Sequence, residues 1–320
     1  MTPFNVVQAL INLGAASLLV YWVIPVTIYL SCSVAIVLLL APQAWPVVLF
    51  ENLEWQDRLL TVAVIGLVIG SGLAAFQTLL YHSLSGYYLP ARLRVRLIAR
   101  QRRLRLRIRE ALLRTAGIER PILLEHFKRF PVDEATAPTR LANAIRAMER
   151  YGWEQFQLDS SSFYEELSAV CPEGIRNRPN STKASVDMFV ALTSFSIILS
   201  VAVTGIAVAS NQSSLAILPI TCLSLALLFY RLAVLQCDKW RSAMQAMINL
   251  GRKPLAEALG YTLPPEPKAE REFWRTVSIF LKYPYHEDVS ELVSRIVDRG
   301  QVAAADRNDA AGPSGSQRDG

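Results

Sequence analysis

Nine arginines fall between Arg92 and Arg109, with no acidic residue before Glu110, and they follow directly on a long apolar segment. A chain cannot carry such a run through hydrocarbon, so the run fixes which side of a membrane this region occupies. At helical period, Leu93, Leu97, Leu104, Ile108 and Ala111 share one face, while Arg92, Arg96, Arg100, Arg103 and Arg107 share another. The stretch from Pro90 to Arg114 therefore reads as a basic amphipathic helix at a membrane surface. The positive-inside bias places that surface on the cytoplasmic side, facing anionic headgroups.

Hydrophobic residues make up 52% of the chain and charged residues 19%. The apolar residues come in blocks instead of being spread at core periodicity, which indicates an integral membrane protein. Charge is uneven too: residues 82–184 hold 19 Lys and Arg against 11 Asp and Glu. The expected fold is an all-α integral membrane protein with four transmembrane helices in two pairs. A helical cytoplasmic insertion separates the pairs, a helical cytoplasmic region follows them, and both termini lie on the cytoplasmic side of the plasma membrane.

No charged residue occurs from Phe4 to Ala41. That is longer than a hydrocarbon core of about 30 Å needs, so residues 1–16 read as an interfacial helix and the first span begins near residue 17, the alternative being two short spans joined near Tyr21–Pro25, which would barely fit. The connector after it carries Glu51, Glu54 and Asp57 and is read as external. The second span, about 60–81, closes a first transmembrane pair over 17–81. Gly66, Gly70 and Ala74 recur there at four-residue spacing and invite close approach of another helix. The insertion occupies 82–184, with Thr139 as an expected N-cap and Ser162 with Glu165 as an expected capping box. A second hairpin fills 185–236. Its Ser196, Ser200 and Thr204 form a small-residue face, read as the mate of the Gly66–Gly70 face. Asp187 and Arg231 lie near the inner ends of these two spans and are expected to pair with each other, with Lys239 as a second candidate for Asp187. Residues 237–299 read as helical and cytoplasmic, with Phe273, Val277, Phe280 and Leu281 on one face. The Ala-, Asp-, Gly- and Ser-rich residues 300–320 read as a disordered tail.

Motifs that carry chemistry are not apparent. There is no Gly-rich phosphate loop, and the HEDVS run at 286–290 lacks the second histidine of a zinc-protease helix. The three histidines have no ligand-like neighbours, and Cys32, Cys171, Cys222 and Cys237 are too scattered for a metal knuckle or disulfide framework. No cofactor is expected. Nucleic acid is disfavoured as a partner of the arginine helix, which lacks interleaved aromatics and sits beside a membrane span.

The segment from Pro138 to Glu173 resembles a group of uncharacterised bacterial multi-pass membrane proteins. The matching positions are Pro138, Thr139, Arg140, Asn143, Arg146, Ala147, Glu149, Tyr151, Gly152, Pro172 and Glu173, while Ala142 stands where that pattern has glycine. The resemblance implies a multi-pass membrane location and supplies no activity.

The function expected from these features is that of a non-enzymatic membrane scaffold, sensor or partner-binding subunit. Its cytoplasmic helices would meet a protein partner or a second copy. The alternative is a transport or channel subunit whose path, lined by Ser196, Ser200 and Thr204, forms on oligomerisation.

Overall fold

The computed structural model describes residues 19–40, 53–131, 136–210 and 217–282. Those residues are helices and their connections, without a strand. The expected N-terminal interfacial helix, most of the acidic connector, the outer hairpin tip, the helix after residue 286 and the tail lie outside the described residues.

A π turn, Leu19–Val23, leads into α1 (Ile24–Leu40). Then come α2 (Trp55–Ala75), α3 (Gln77–Ser85), α4 (Ala91–Arg114), α5 (Glu119–Lys128) and α6 (Arg140–Glu149). The remainder are α7 (Tyr151–Phe156), α8 (Tyr164–Val170), α9 (Glu173–Ser210), α10 (Ile217–Ala258) and α11 (Pro267–Lys282). Three of these, α2, α9 and α10, are long and apolar enough to cross a membrane, and the apolar stretch in α1 is shorter. Boundaries read near residues 184 and 236 fall inside continuous helices: α9 starts already at Glu173, and α10 runs through Gly251 and Pro254 to Ala258. A proline inside a long helix removes one backbone donor, yet α9 and α10 run on through Pro179 and Pro254.

The chain forms two compact units. One comprises residues 1–129, 136–144 and 180–240, the other 130–135, 145–179 and 241–320. In the first, Trp22, Val26, Leu73, Ala191 and Phe195 make a buried cluster against which Ala74 packs. The close approach is made at glycine. A Cβ on Gly70 would come within 2.7 Å of the Val23 Cα, and one on Gly66 would fall on the Thr27 side chain. The small-residue face of α2 thus receives the π turn and the start of α1, not the serines of α9. Tyr29 extends the contact to the hairpin, with its ring edge-on to Phe195 at 5.6 Å and to Phe229 at 6.1 Å. On the outside, large apolar residues from Leu59 to Leu79 stay exposed. That band is about 30 Å long at 1.5 Å per residue, the thickness of a hydrocarbon core.

Aromatic packing builds the second unit. Phe163 meets Trp274 edge-on at 6.2 Å, Phe273 meets Trp274 at 4.9 Å and Tyr261 meets Phe273 at 5.7 Å. The α11 face expected from periodicity is buried at Phe273 and Val277, with Trp274 more deeply sunk than that pattern suggests. Arg252 caps the assembly, stacking 4.2 Å above the Phe156 ring while its Nε lies 2.8 Å from Glu270. The capping box expected at Ser162 does not form. The Ser162 hydroxyl donates instead to Asp159, whose carboxylate also accepts backbone N–H groups of Ser161 and Ser162, and α8 begins without a side-chain cap. Gly251 opens a notch that receives Cys171 Sγ, which lies 3.5 Å from the Met247 carbonyl.

Two outcomes test this packing. Gly70→Ala should destabilise the first unit by about 1–3 kcal/mol through overpacking, whereas Gly72→Ala, with nothing within 4 Å of the added carbon, should be neutral or slightly stabilising. Thermal unfolding of the purified variants in detergent measures the difference. Burial also raises the Cys171 thiol above its ordinary value. A folded-state value above the unfolded one means that the neutral thiol is favoured, so its contribution to stability is complete below about pH 8.5 and is lost as pH climbs through the raised value. In a protein whose other cysteines are serine, alkylation of native Cys171 should be slow at neutral pH and accelerate only above the usual thiol range, with denaturant removing the protection.

Candidate functional site

Polar side chains in the first unit gather where the apolar helices give way to charged sequence. The α2–α3 helix bends at Phe76, keeping its backbone bonds from Phe76 N–H to Gly72 O and from Leu80 N–H to Phe76 O. The bend is followed by Gln77 and Tyr81, one turn apart. Both reach the buried carboxylate of Asp187: Gln77 Nε2 donates to Oδ1 at 2.8 Å and the Tyr81 hydroxyl at 2.7 Å. Lys183, one turn earlier on α9, brings its ammonium to 3.8 Å from Oδ2. Asp187 therefore does not pair with Arg231, which is exposed on α10, nor with the exposed Lys239. Sequence separation alone suggested those partners, but a carboxylate buried against a neighbouring helix takes the neutral donors that helix presents. Gln77 and Tyr81 carry no motif, and only their one-turn spacing could have marked them.

A second polar corner lies at residues 136–144. Asn143 is buried and closes a ring: its Oδ1 accepts the Ala137 N–H at 2.7 Å, and its Nδ2 donates to the carbonyls of Ala137 and Thr139. The Thr139 hydroxyl accepts the Ala142 N–H at 3.3 Å, so the expected cap is present. The Leu141 N–H donates to the Tyr230 hydroxyl of α10. Gly86 makes room for this corner, because its φ of 82° is left-handed and a Cβ there would strike Pro138 and Thr139. Nearby in sequence, Arg129 binds Asp238 through Nε at 2.9 Å and Nη2 at 2.5 Å.

The basic helix α4 turns back on itself through Gly117, and α5 packs against it, with the Arg105 guanidinium 5.8 Å from the Phe127 ring centroid. Arg92, Arg96, Arg100, Arg103 and Arg107 are all exposed. The packed face carries Leu97, Leu104, Ile108 and Ala111 as the period indicates, but its most buried member is Gln101, and Leu93 is exposed. Ser196, Ser200 and Thr204 do not act as one face. Ser196 is fully buried and bonds its own helix at Leu192, Ser200 donates across to the Pro219 carbonyl of α10 at 3.0 Å, and Thr204 is exposed and bonds Ser200 O. Among the described residues no three His, Cys, Asp or Glu side chains are grouped to hold a metal ion.

These placements separate two substitutions that the sequence pairs. Asp187→Ala should cost about 1–3 kcal/mol by leaving Gln77 and Tyr81 without their acceptor, whereas Arg231→Gln should stay within about 0.5 kcal/mol. Equal effects in detergent unfolding would refute the observed network. No family model matches this chain, and neither does any curated protein or solved structure.

Proposed function

We propose that the protein is a non-enzymatic integral membrane scaffold or partner-binding subunit. The observation that carries this reading is how the polar groups are used. The buried Asp187 and Asn143 and the half-buried Arg129–Asp238 pair bond to other groups of the first unit and tie its segments together. The cations left facing outward are concentrated on one helix, α4, where the five arginines stand on a single exposed side. That arrangement suits recognition, because an array of fixed donors binds an anionic surface without changing it.

In this reading α1 joins α2, α9 and α10 as a fourth span. The four helices form two pairs in the plasma membrane, with α4 and both termini on the cytoplasmic side. The positive-inside bias supports that orientation. The Pro138–Asn143 corner carries the likeness to multi-pass bacterial membrane proteins, and its bonds to Tyr230 and its contact at Gly86 join two chain segments that such an arrangement has to hold together.

Impermeant thiol labelling in intact cells tests the orientation: Gln212→Cys should react from outside and Arg103→Cys should not. External labelling of position 103 would overturn it. Gentle purification from native membranes tests the scaffold role. A stoichiometric protein partner or a defined oligomer is expected, and ion flux or turnover by the purified protein alone in liposomes would refute it.

A further inference from the structure

The face of α4 that the period marks as apolar is taken up in packing from Leu97 onward, yet the helix carries a second apolar stripe that stays exposed. Val95 is 64% exposed, Leu106 53% and Leu113 82%, and the hairpin turn adds Ile118 at 89%. Spacings of 11 and 18 residues bring the three α4 residues within about 20° of one another around the helix. Arginines border the stripe on both sides. Arg92, Arg96 and Arg103 run along one edge, with Glu110 the single acid among them, and Arg102 and Arg109 run along the other. Only residues 86–90 separate α4 from α3, and they include the exposed rings of Tyr87 and Tyr88 just past the apolar band of α2 and α3.

We propose that α4 lies in the plane of an anionic membrane surface with Val95, Leu106 and Leu113 sunk between the lipids and the two arginine rows on their phosphates. This deepens the scaffold reading and rests on it for the membrane location alone. An apolar strip between cationic edges is the cross-section of an interfacial helix: the acyl boundary takes the strip, and long arginine side chains reach back to the headgroups. The aromatic pair at 87–88 suits the depth at which α4 begins. A second copy of the chain fits poorly on this face, since a two-fold contact would set arginine rows against each other. An acidic protein surface would satisfy the charges but gives no reason for apolar residues to stay exposed along the whole helix.

The test uses the full-length protein in nanodiscs, with a bimane fluorophore on single cysteines at Val95, Leu106 or Leu113 and, as control, at the exposed Leu93 on the opposite side of the helix. In discs containing phosphatidylglycerol, a spin label near the top of the acyl chain should quench the first three severalfold more than the control. Pure phosphatidylcholine discs should lose most of that difference, as should Arg92→Gln, Arg96→Gln and Arg103→Gln combined. Far-ultraviolet circular dichroism and the elution volume report whether each variant is folded. Equal quenching at all four sites, or none, in folded protein overturns the proposal, and so does protection of Val95 and Leu106 by a co-purifying protein in place of lipid. A missing protein partner would count against the scaffold reading and leave this result untouched.

Discussion

Polar groups on apolar helices must find their partners inside the chain wherever packing shuts water out. Here the obligation is met mostly by one local device, in which a serine or threonine hydroxyl donates to the carbonyl four residues back. Thr27, Ser33, Thr193, Ser196, Thr221 and Ser224 all do so. Such a bond satisfies the hydroxyl without asking anything of a neighbouring helix. The exceptions show where the first unit is fastened. Ser200 reaches across the hairpin to Pro219, and Asp187, which has no such local option, draws Gln77 and Tyr81 from α3.

Those fasteners work only because backbones come close enough for short side chains to bridge them. Gly70 against Val23 sets the nearest approach, and the edge-on rings of Tyr29, Phe195 and Phe229 fill the space on the other side of α1. Dispersion between such tightly fitted surfaces adds to the attraction that holds these helices together. The second unit relies on a different balance. It buries Phe163, Phe273 and Trp274 together and then satisfies loop backbone with Ser278, whose hydroxyl accepts the Asp159 N–H and donates to the Gln157 carbonyl.

What can be read from sequence here is what depends on neighbours along the chain. Helical class, the exposed arginine row of α4, the Thr139 cap and the buried Phe273–Val277 face of α11 all rest on periods of three or four residues, and each of them stands. The capping box at Ser162 rests on the same kind of rule and fails, because α8 begins at Tyr164 with Phe163 at its N-cap, which leaves Ser162 one position outside the cap and in the turn that Asp159 holds.

The partners of Asp187, the occupant of the Gly66–Gly70 face and the open stripe of α4 were settled only by tertiary structure. Each is a choice among residues that sequence spacing leaves equivalent: Arg231 and Tyr81 were both available to a carboxylate, and α1 and α9 both offered small or polar residues to two glycines. Helical periodicity says which side chains share a face, so it determined the pattern on each helix. It carries no information about rotation of one helix against another, and that rotation, set by shape and by buried polar demand, decided which faces meet.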